Sequence, residues 1–413
     1  MRSNLTLVCL LNGLLLAGGL ASSVSAQGVD QERVVQLRDE GLELSDKGKL
    51  LKARAKFKEA IDLDDSHADT WFHYGQTFQR RGKLDEAIKH YTKAISLLSG
   101  HHKAFHNRGV ALWYQGKLKD ALSDVDEAVR LKPRYHEAWN TRASLLTNLG
   151  QAREGMEDAG TAIELVEERN DKRKVKRYFV KAYHTRAVAA IRIGELAQAK
   201  SDLLFASKRA PGQAAYRFRL AVAQFRLGEH KLAVESCTVA LAIKRDTVLA
   251  SGKRPNPLSS YLRARCVAGR AQARFFLNDK KGALKDLAEA AKLTPDHTYT
   301  PLWIHAFGGK AYSLGRLSKH TYKSEEDKWV QQILLLYAGK KSAKELLATA
   351  QGADSEAKDA RLLQSHCYLA LLAERSGDTQ KARTHYEKAI THKVLGYTEY
   401  WWAKLRLAVL SAK

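Results

Sequence analysis

Apolar side chains recur along this chain with a period of 34 residues, and small residues return at fixed offsets inside each period. When the periods are counted from Val34, their eighth, twentieth and twenty-seventh positions hold alanine or glycine in every copy. Bulky side chains stand between the small ones, for example Trp71, Phe105 and Trp139 at the fourth position. Small residues at helical spacing let two helix axes approach to about 8 Å. The pattern therefore predicts a packed pair of amphipathic helices, A and B, in each period.

Glycine marks the predicted turn from helix A to helix B. The fifteenth position is glycine in seven copies and Asn278 in the other, and both residue types reach the left-handed conformation that ends a helix. The prolines inside the periods, Pro133, Pro211 and Pro295, fall only near the end of a copy, where they do not interrupt a helix. The predicted copies span residues 34–67, 68–101, 102–135, 136–169, 180–213, 214–247, 264–297 and 363–396.

Paired helices with this period and these small residues resemble the tetratricopeptide (TPR) repeat. The resemblance implies an all-α fold, a right-handed superhelix (α-solenoid) of about seven to eight helix-turn-helix repeats, whose usual work is to hold other proteins. We expect the array over residues 27–297 and a TPR-like repeat with a capping helix over residues 363–413. The interval 298–362 is predicted to be an irregular helical insertion packed against the end of the array, and the insertions 170–179 and 248–263 are predicted to be loops.

A charge pattern accompanies the small residues. Several repeats carry arginine at the seventh position together with aspartate at the twenty-third, and the first repeat has the charges exchanged as Glu40 and Lys56. Repeats two, six and eight lack both members, which favours an ion pair between helices A and B over an arginine ladder for anionic ligands. The predicted pairs are Arg108 with Asp124, Arg142 with Asp158, Arg186 with Asp202, and Arg270 with Asp286.

The last third of the chain resembles a narrower group. Its aromatic and turn residues are Trp303, Trp329, Tyr337-Ala338-Gly339-Lys340, Glu399-Tyr400 and Ala403, within about residues 296–407. They look like the C-terminal half of bacterial "new lipoprotein I" envelope adaptors, which are TPR proteins that bring cell-wall hydrolases and a protease together. This chain lacks their lipidation site and has more repeats upstream, so the likeness implies adaptor activity but no particular client.

Residues 1–26 read as a signal peptide. Arg2 is followed by an apolar run over residues 5–20, and Val24-Ser25-Ala26 provides the small residues that signal peptidase requires. The alternative is an uncleaved anchor, since the run comes close to the length of about 17 residues that spans a bilayer. We expect cleavage after Ala26, no integral membrane segment in the mature chain, and a periplasmic or secreted location, with a bacterial envelope favoured.

The formal net charge of +24 restricts the partners. In a cytosolic protein this charge would suggest nucleic acid, but the export signal and the lack of aromatic residues within the basic run at residues 172–177 argue against it. We expect a protein or peptide client, with acidic residues matching the positive surface. The alternative is that the basic solenoid docks onto an anionic envelope polymer or a lipid surface.

In a TPR array helix A lines the concave groove, with repeat positions 2, 5, 9, 12 and 13 facing it. Trp113 and Tyr114 form an aromatic patch in this register, and Arg192 and Arg226 form a cationic one, so we expect an extended or helical peptide across both. Each of these side chains has the alternative of packing between helices. The candidate client-binding residues are Phe72, Arg80, His106, Trp113, Tyr114, Asn148, Arg192, Phe218, Arg226 and Phe275.

The sequence contains no constellation typical of catalysis, so we expect a protein that is not an enzyme and has no cofactor. His101, His102 and His106 are the nearest approach to a metal site, but no acidic third ligand is placed for them. Cys237, Cys266 and Cys367 occupy helical positions suited to buried thiols, with one disulfide as the alternative in an oxidising compartment. The asparagines of a carboxylate-binding TPR clamp are also missing, because Leu42 and His73 occupy their places.

Overall fold

A computed structural model of the protein describes residues 31–168, 175–243, 258–294, 299–308 and 324–412. The predicted signal peptide lies outside these ranges. Within them the chain forms helices joined by short turns, as the 34-residue period predicts. The helices are α1 (31–46), α2 (Leu50–Leu63), α3 (Ala68–Gln79), α4 (Leu84–Leu97), α5 (His102–Tyr114), α6 (Leu118–Leu131), α7 (His136–Asn148), α8 (Ala152–Glu167), α9 (Val175–Ile193), α10 (Leu196–Arg209), α11 (Ala214–Arg226), α12 (His230–Ala242), α13 (Ser260–Phe276), α14 (Lys280–Leu293), α15 (Tyr299–Ala306), α16 (Glu325–Tyr337), α17 (Ala343–Gln351), α18 (Ser355–Ser376), α19 (Thr379–Thr391) and α20 (Thr398–Ser411).

The helices belong to two compact units, residues 1–149 and 150–413. The described part of the first unit contains α1 to α7, and that of the second contains α8 to α20. Repeats one to three lie wholly in the first unit and repeats five to eight in the second, while repeat four contributes one helix to each. Both units are built from the predicted pairs of helix A and helix B.

The turn between helices A and B has the predicted backbone conformation in all eight repeats. Every residue at position 15 has a positive φ, from 62° at Asn278 to 92° at Gly150. Glycine adopts this conformation without steric cost, and asparagine tolerates it better than most residues. The repeat register assigned from the sequence is therefore confirmed at the turn of each repeat.

The small residues occupy the contacts between helices. The alanines at position 27 are at most 1% exposed in every repeat. A methyl group added to Gly109 would lie 2.9 Å from the backbone oxygen of Ala121 on the partner helix. Glycine at this position therefore permits a close approach of helices α5 and α6, as the sequence predicted.

Three of the predicted arginine–aspartate pairs join helix A to helix B with two parallel hydrogen bonds each. In Arg186 and Asp202, for example, Nε donates to Oδ2 at 2.9 Å and Nη2 to Oδ1 at 2.8 Å. The exchanged pair of the first repeat also forms, with Lys56 Nζ lying 3.2 Å from Glu40 Oε2. The confirmed bidentate pairs are Arg108 with Asp124, Arg186 with Asp202, and Arg270 with Asp286. Arg142 and Asp158 belong to different units, and their pairing stays a prediction.

The loops predicted at 170–179 and 248–263 are shorter than expected. Helix α9 already begins at Val175, so the second half of the first insertion is helical. Helix α13 begins at Ser260, because the Ser259 hydroxyl caps it by accepting a hydrogen bond from the Leu262 amide at 3.4 Å. Sequence periodicity did not locate these helix starts, because both helices begin several residues before the 34-residue repeat to which they belong.

The described part of the interval 298–362, which was predicted to be an irregular helical insertion, forms helices α15, α16, α17 and the start of α18. Helices α16 and α17 each begin with a capping box, formed by Ser324 with Asp327 and by Ser342 with Glu345. In such a box two side chains satisfy backbone amides that a helix start leaves without partners. The described helices α15 to α17 thus have defined ends and enter a core shared with α13, α14 and α18 to α20.

Aromatic rings dominate that C-terminal core. Trp402 is fully buried, and its ring lies 4.8 Å from that of Trp303 and 5.4 Å from that of Phe307. The buried indole of Trp329 is paired, since its Nε1 donates to Gln364 Oε1 at 2.8 Å. Most residues behind the resemblance to envelope adaptors, including Trp303, Trp329, Tyr337 and Ala403, are buried here. In this chain they stabilise the fold of the second unit.

Candidate client-binding surfaces

The clearest exposed aromatic surface of the first unit lies at the end of α5. Tyr114 is 73% exposed, and its ring stacks on that of Trp113 with centroids 6.4 Å apart and an interplanar angle of 16°. Trp113 is half-buried. The two residues are positions 12 and 13 of helix A, where a TPR register directs side chains toward the groove. Tyr114 is therefore accessible to a client, whereas Trp113 also packs against the core of α6 and α7.

Position 13 is also exposed in the neighbouring repeats of the first unit. Arg80 at the end of α3 and Asn148 at the end of α7 are both exposed. Arg80 is held in place because its Nη1 donates to the carbonyl and the hydroxyl oxygens of Ser45, both at 3.0 Å. Repeats two, three and four thus present an arginine, a tyrosine and an asparagine at equivalent helix ends.

Two predicted groove residues of the first unit are packing residues. Phe72 is only 4% exposed, with its ring 4.9 Å from that of His101 and 5.8 Å from that of Tyr91. His106 is 9% exposed and hydrogen-bonded through both ring nitrogens. Phe72 packs within its own repeat and His106 bonds to Thr141 of the next one, so these side chains are not available to a client.

The predicted groove of the second unit is covered by the end of the chain itself. Arg226 of α11 lies over the Trp401 ring, 5.3 Å from its centroid, and donates to the Gly396 carbonyl at 3.4 Å. Arg406 lies over the ring of Phe276, 5.7 Å from its centroid. Helix α20 and the turn before it therefore pack on the A helices of repeats six and seven.

The remaining predicted residues of the second unit differ in exposure. Phe218 is 4% exposed in a core shared by α11 to α13. Phe275 is half-buried, and its ring stacks 4.2 Å from that of Phe307. Arg192 is exposed at the end of α9. Of the second-unit candidates, only Arg192 lies open to solvent as the sequence predicted.

Helix α20 has a signature of helix A that the sequence register missed. Trp401 is its fourth residue, and the indole Nε1 donates to the carbonyl six residues earlier, Leu395, at 2.9 Å. Trp71 in α3 and Trp139 in α7 are also fourth residues and make the same bond to the residues six earlier, at 2.8 and 2.7 Å. The recurring tryptophan could have revealed α20 as a ninth helix A, but a repeat one residue longer than the others displaces it from the 34-residue count.

The candidate thiols and metal ligands form no reactive centre in the part of the chain that the structure describes. Cys237, Cys266 and Cys367 are free and buried, and burial contributes to raising the pKa of the Cys367 thiol. No three histidine, cysteine, aspartate or glutamate side chains there lie close enough to share a metal ion. Within the same ranges, no helix has the length and apolar character needed to cross a bilayer.

Comparison with known proteins identifies the repeats. The tetratricopeptide repeat profile matches residues 38–101, 106–165 and 184–246. No curated protein matches the sequence. Among solved structures, a tetratricopeptide repeat protein from Parabacteroides merdae is 19% identical, covers 64% of this chain and 94% of its own, and has a TM-score of 0.45. PilW, a type IV pilus biogenesis factor, is 13% identical over 57% of this chain and 98% of its own, with a TM-score of 0.47.

A third similar structure is YrrB, described as a TPR protein with an unusual peptide-binding site, at 21% identity, 46% of this chain, 93% of its own and a TM-score of 0.37. Likenesses this distant transfer no function. The resemblance to "new lipoprotein I" adaptors finds no support among these matches and stays a prediction. The matched segments, together with the repeated helix pairs, show that this chain contains tetratricopeptide repeats and has an all-α TPR solenoid fold.

Proposed function

We propose that this protein is an exported, non-enzymatic scaffold that binds a segment of a client protein on the helix-A side of its repeats. The observation that carries the proposal is the exposed ring of Tyr114, which stacks on the half-buried ring of Trp113. Covering the apolar surface of an exposed aromatic ring with a partner is favourable, because that surface is removed from water. Trp and Tyr are among the residues that contribute most to the binding energy of protein interfaces. Export is supported by the signal-like sequence of residues 1–26.

A peptide-display selection against the full chain tests the binding function. We expect enriched peptides to bind the wild type and to lose at least about thirtyfold in affinity with Tyr114→Ala, as a loss of about 2 kcal/mol at a hot spot implies. Leu63→Ala is the matched control, because Leu63 is also exposed (49%) and belongs to helix B of the same unit. Equal affinities for the two variants would refute the site.

Salt separates the client from the alternative partner. Docking on an anionic polymer through net charge should weaken steeply as ionic strength rises, whereas a desolvated aromatic contact should change little. The polymer would be favoured by two results together: the protein binds purified cell-wall polymer at low salt but not at high salt, and no selected peptide depends on Tyr114 for binding. Export is tested separately, since the intact mass of the mature protein should lack residues 1–26.

A further inference from the structure

Four arginines of the second unit gather on the A helices of three successive repeats. They are Arg192 at the end of α9, Arg219 and Arg226 in α11, and Arg265 in α13, and we call them the arginine cluster. They affect each other electrostatically. Arg265 and Arg192 lower the pKa of Arg219 after the larger effect of burial, and burial followed by Arg219 and Arg265 lowers the pKa of Arg226 to about 10.

None of the four makes an ion pair with a carboxylate among the residues that the structure describes. Arg226 donates to the Ile191 and Gly396 carbonyls and lies over Trp401. Arg219 is half-buried, and its guanidinium carbon lies 6.0 Å from the centroid of the Phe218 ring. Arg192 and Arg265 are exposed, whereas Arg219 and Arg226 are half-buried. A cation that is partly withdrawn from water without a partner charge is costly, so Arg219 and Arg226 are the members that a carboxylate would stabilise most.

Three other arginines on α9 and α13 do have carboxylate partners. On α9, Arg186 pairs with Asp202, and on α13, Arg270 pairs with Asp286. Arg274 also pairs with Asp286, at 3.0 Å. Carboxylates therefore satisfy Arg186, Arg270 and Arg274, while the described residues supply none to the cluster.

A neighbouring histidine adds a second unsatisfied group. His184 of α9 has a buried Nε2 with no hydrogen-bond partner, and its ring lies 4.6 Å from that of Tyr216. Burial lowers its pKa to about 4, with a further contribution from Arg219. Arg219 thus lies within electrostatic range of the unsatisfied His184 ring.

We propose that the arginine cluster binds the acidic side chains of a client, with Arg219 as its central residue. This rests on the proposed scaffold function and adds the chemistry of the ligand. The planar guanidinium fork binds a carboxylate with two parallel hydrogen bonds, as the three ion pairs inside this unit and the first already do. A carboxylate on a flexible side chain can reach a half-buried guanidinium, whereas a duplex or a vesicle presents its phosphates on a broad surface.

Fluorescence anisotropy with the full chain tests the proposal. The glutamate probe is a labelled peptide rich in glutamate and leucine, acetylated at its N-terminus and amidated at its C-terminus. The control probe has the same sequence with glutamine in place of each glutamate. We expect the glutamate probe to bind the wild type and to lose about tenfold or more with Arg219→Gln, since hydrogen bonds to charged groups are individually strong. Arg219→Lys should restore part of the affinity because it keeps the charge.

Arg153→Gln is the matched control, because Arg153 is exposed on α8 of the same unit and its replacement removes the same charge. It should bind the probe like the wild type. Arg219→Gln should also keep or raise the melting temperature, since it removes an unpaired, half-buried cation. A purely structural arginine would instead lower it.

Three results would overturn the proposal: equal affinity for the glutamate and glutamine probes, equal loss with Arg219→Gln and Arg153→Gln, or preferential binding of duplex DNA or anionic vesicles at Arg219. A version of the probe with a free C-terminal carboxylate shows whether the protein recognises side-chain carboxylates or the carboxylate at the end of the peptide. If peptides selected on the wild type still depend on Tyr114 while the glutamate probe fails to bind, this inference fails and the scaffold function stands.

Discussion

His106 shows how a polar side chain of the first unit is buried without a net charge. Thr141 Oγ1 donates to the Glu137 carbonyl at 2.9 Å, so it accepts from His106 Nε2 at 2.9 Å. Nδ1 then accepts from the Tyr135 hydroxyl at 3.2 Å. The neutral imidazole with its proton on Nε2 satisfies every partner. Burial lowers the pKa of His106 to about 4.

This pairing predicts a pH dependence of stability. In the unfolded chain the imidazole takes up a proton below pH about 6.5, whereas in the fold it does so only near about 4. Its contribution is therefore complete above pH about 6.5 and is lost as the pH falls toward about 4. Urea unfolding at pH about 7.5 and about 5 should show a smaller pH dependence for His106→Gln than for the wild type. His67→Gln is the control, and an unchanged pH dependence in His106→Gln would contradict the assignment.

Arg186 and Asp202 provide a test of the ion pairs at the same scale. The Asp202 side chain is 1% exposed and the Arg186 side chain 23%. Arg186→Ala should cost about 3–5 kcal/mol, because it leaves a buried carboxylate with a lost partner. Asp202→Ala should also destabilise, and the double variant should lose clearly less than the sum. Urea denaturation of all four proteins measures the coupling, and strictly additive losses would show that the pair contributes none.

At the scale of the helix pair, the turn depends on one backbone conformation. Gly116 joins α5 to α6 with φ at 80°, and a methyl group added there would meet no atom within 4 Å. Gly160 lies inside α8 with equally open space but a helical backbone. The two glycines therefore separate the cost of conformation from the cost of contact.

We predict opposite effects of alanine at these two glycines. Gly116→Ala should destabilise by about 1–2 kcal/mol, since an L-residue strains in the left-handed region. Gly160→Ala should stabilise by up to about 1 kcal/mol, since alanine is the better helix former. Chemical denaturation of the full chain measures both. Destabilisation of similar size in both variants would mean that φ at position 15 does not set the turn.

The sequence predicted these helix pairs because their determinants are local. Position 15 needs a residue that adopts a positive φ, and position 27 needs a side chain no larger than a methyl group. Both requirements recur in every repeat. The candidate site was harder to predict, because the exposure of position 5 or 13 depends on a neighbour. Tyr114 is open as predicted, but Arg226 lies under Trp401, which is 175 residues away in the chain. The 34-residue period predicts contacts between neighbouring repeats, and so it does not predict a contact between residues this far apart in the chain.

At the scale of the second unit, the end of the chain changes how the repeats cooperate. Repeats of a simple solenoid contact only their neighbours. Here α20 contacts earlier repeats, since Leu405 lies next to Gly228 in the turn of repeat six, and Leu395, just before α20, lies next to Gly194 in that of repeat five. Trp402 meets Phe275 and Phe276 of repeat seven, with ring centroids 5.4 and 4.8 Å away. We infer that repeats five to eight of this unit are stabilised together.

This coupling predicts which helices are destabilised by a substitution in the C-terminal core. Trp402→Ala should cost about 3–5 kcal/mol, because it removes a fully buried ring from the C-terminal core. Hydrogen exchange measured by mass spectrometry should then show faster exchange in α11 and α13 as well as in α18 to α20, since loss of α20 uncovers the A helices it packs on. Leu346→Ala is the control, because Leu346 is fully buried in the same core but lies on α17. Its effect should concentrate in α16 to α18. Exchange in α11 that stays at the wild-type rate in Trp402→Ala would mean that the repeats respond only to their neighbours, and that α20 covers the A helices without stabilising them.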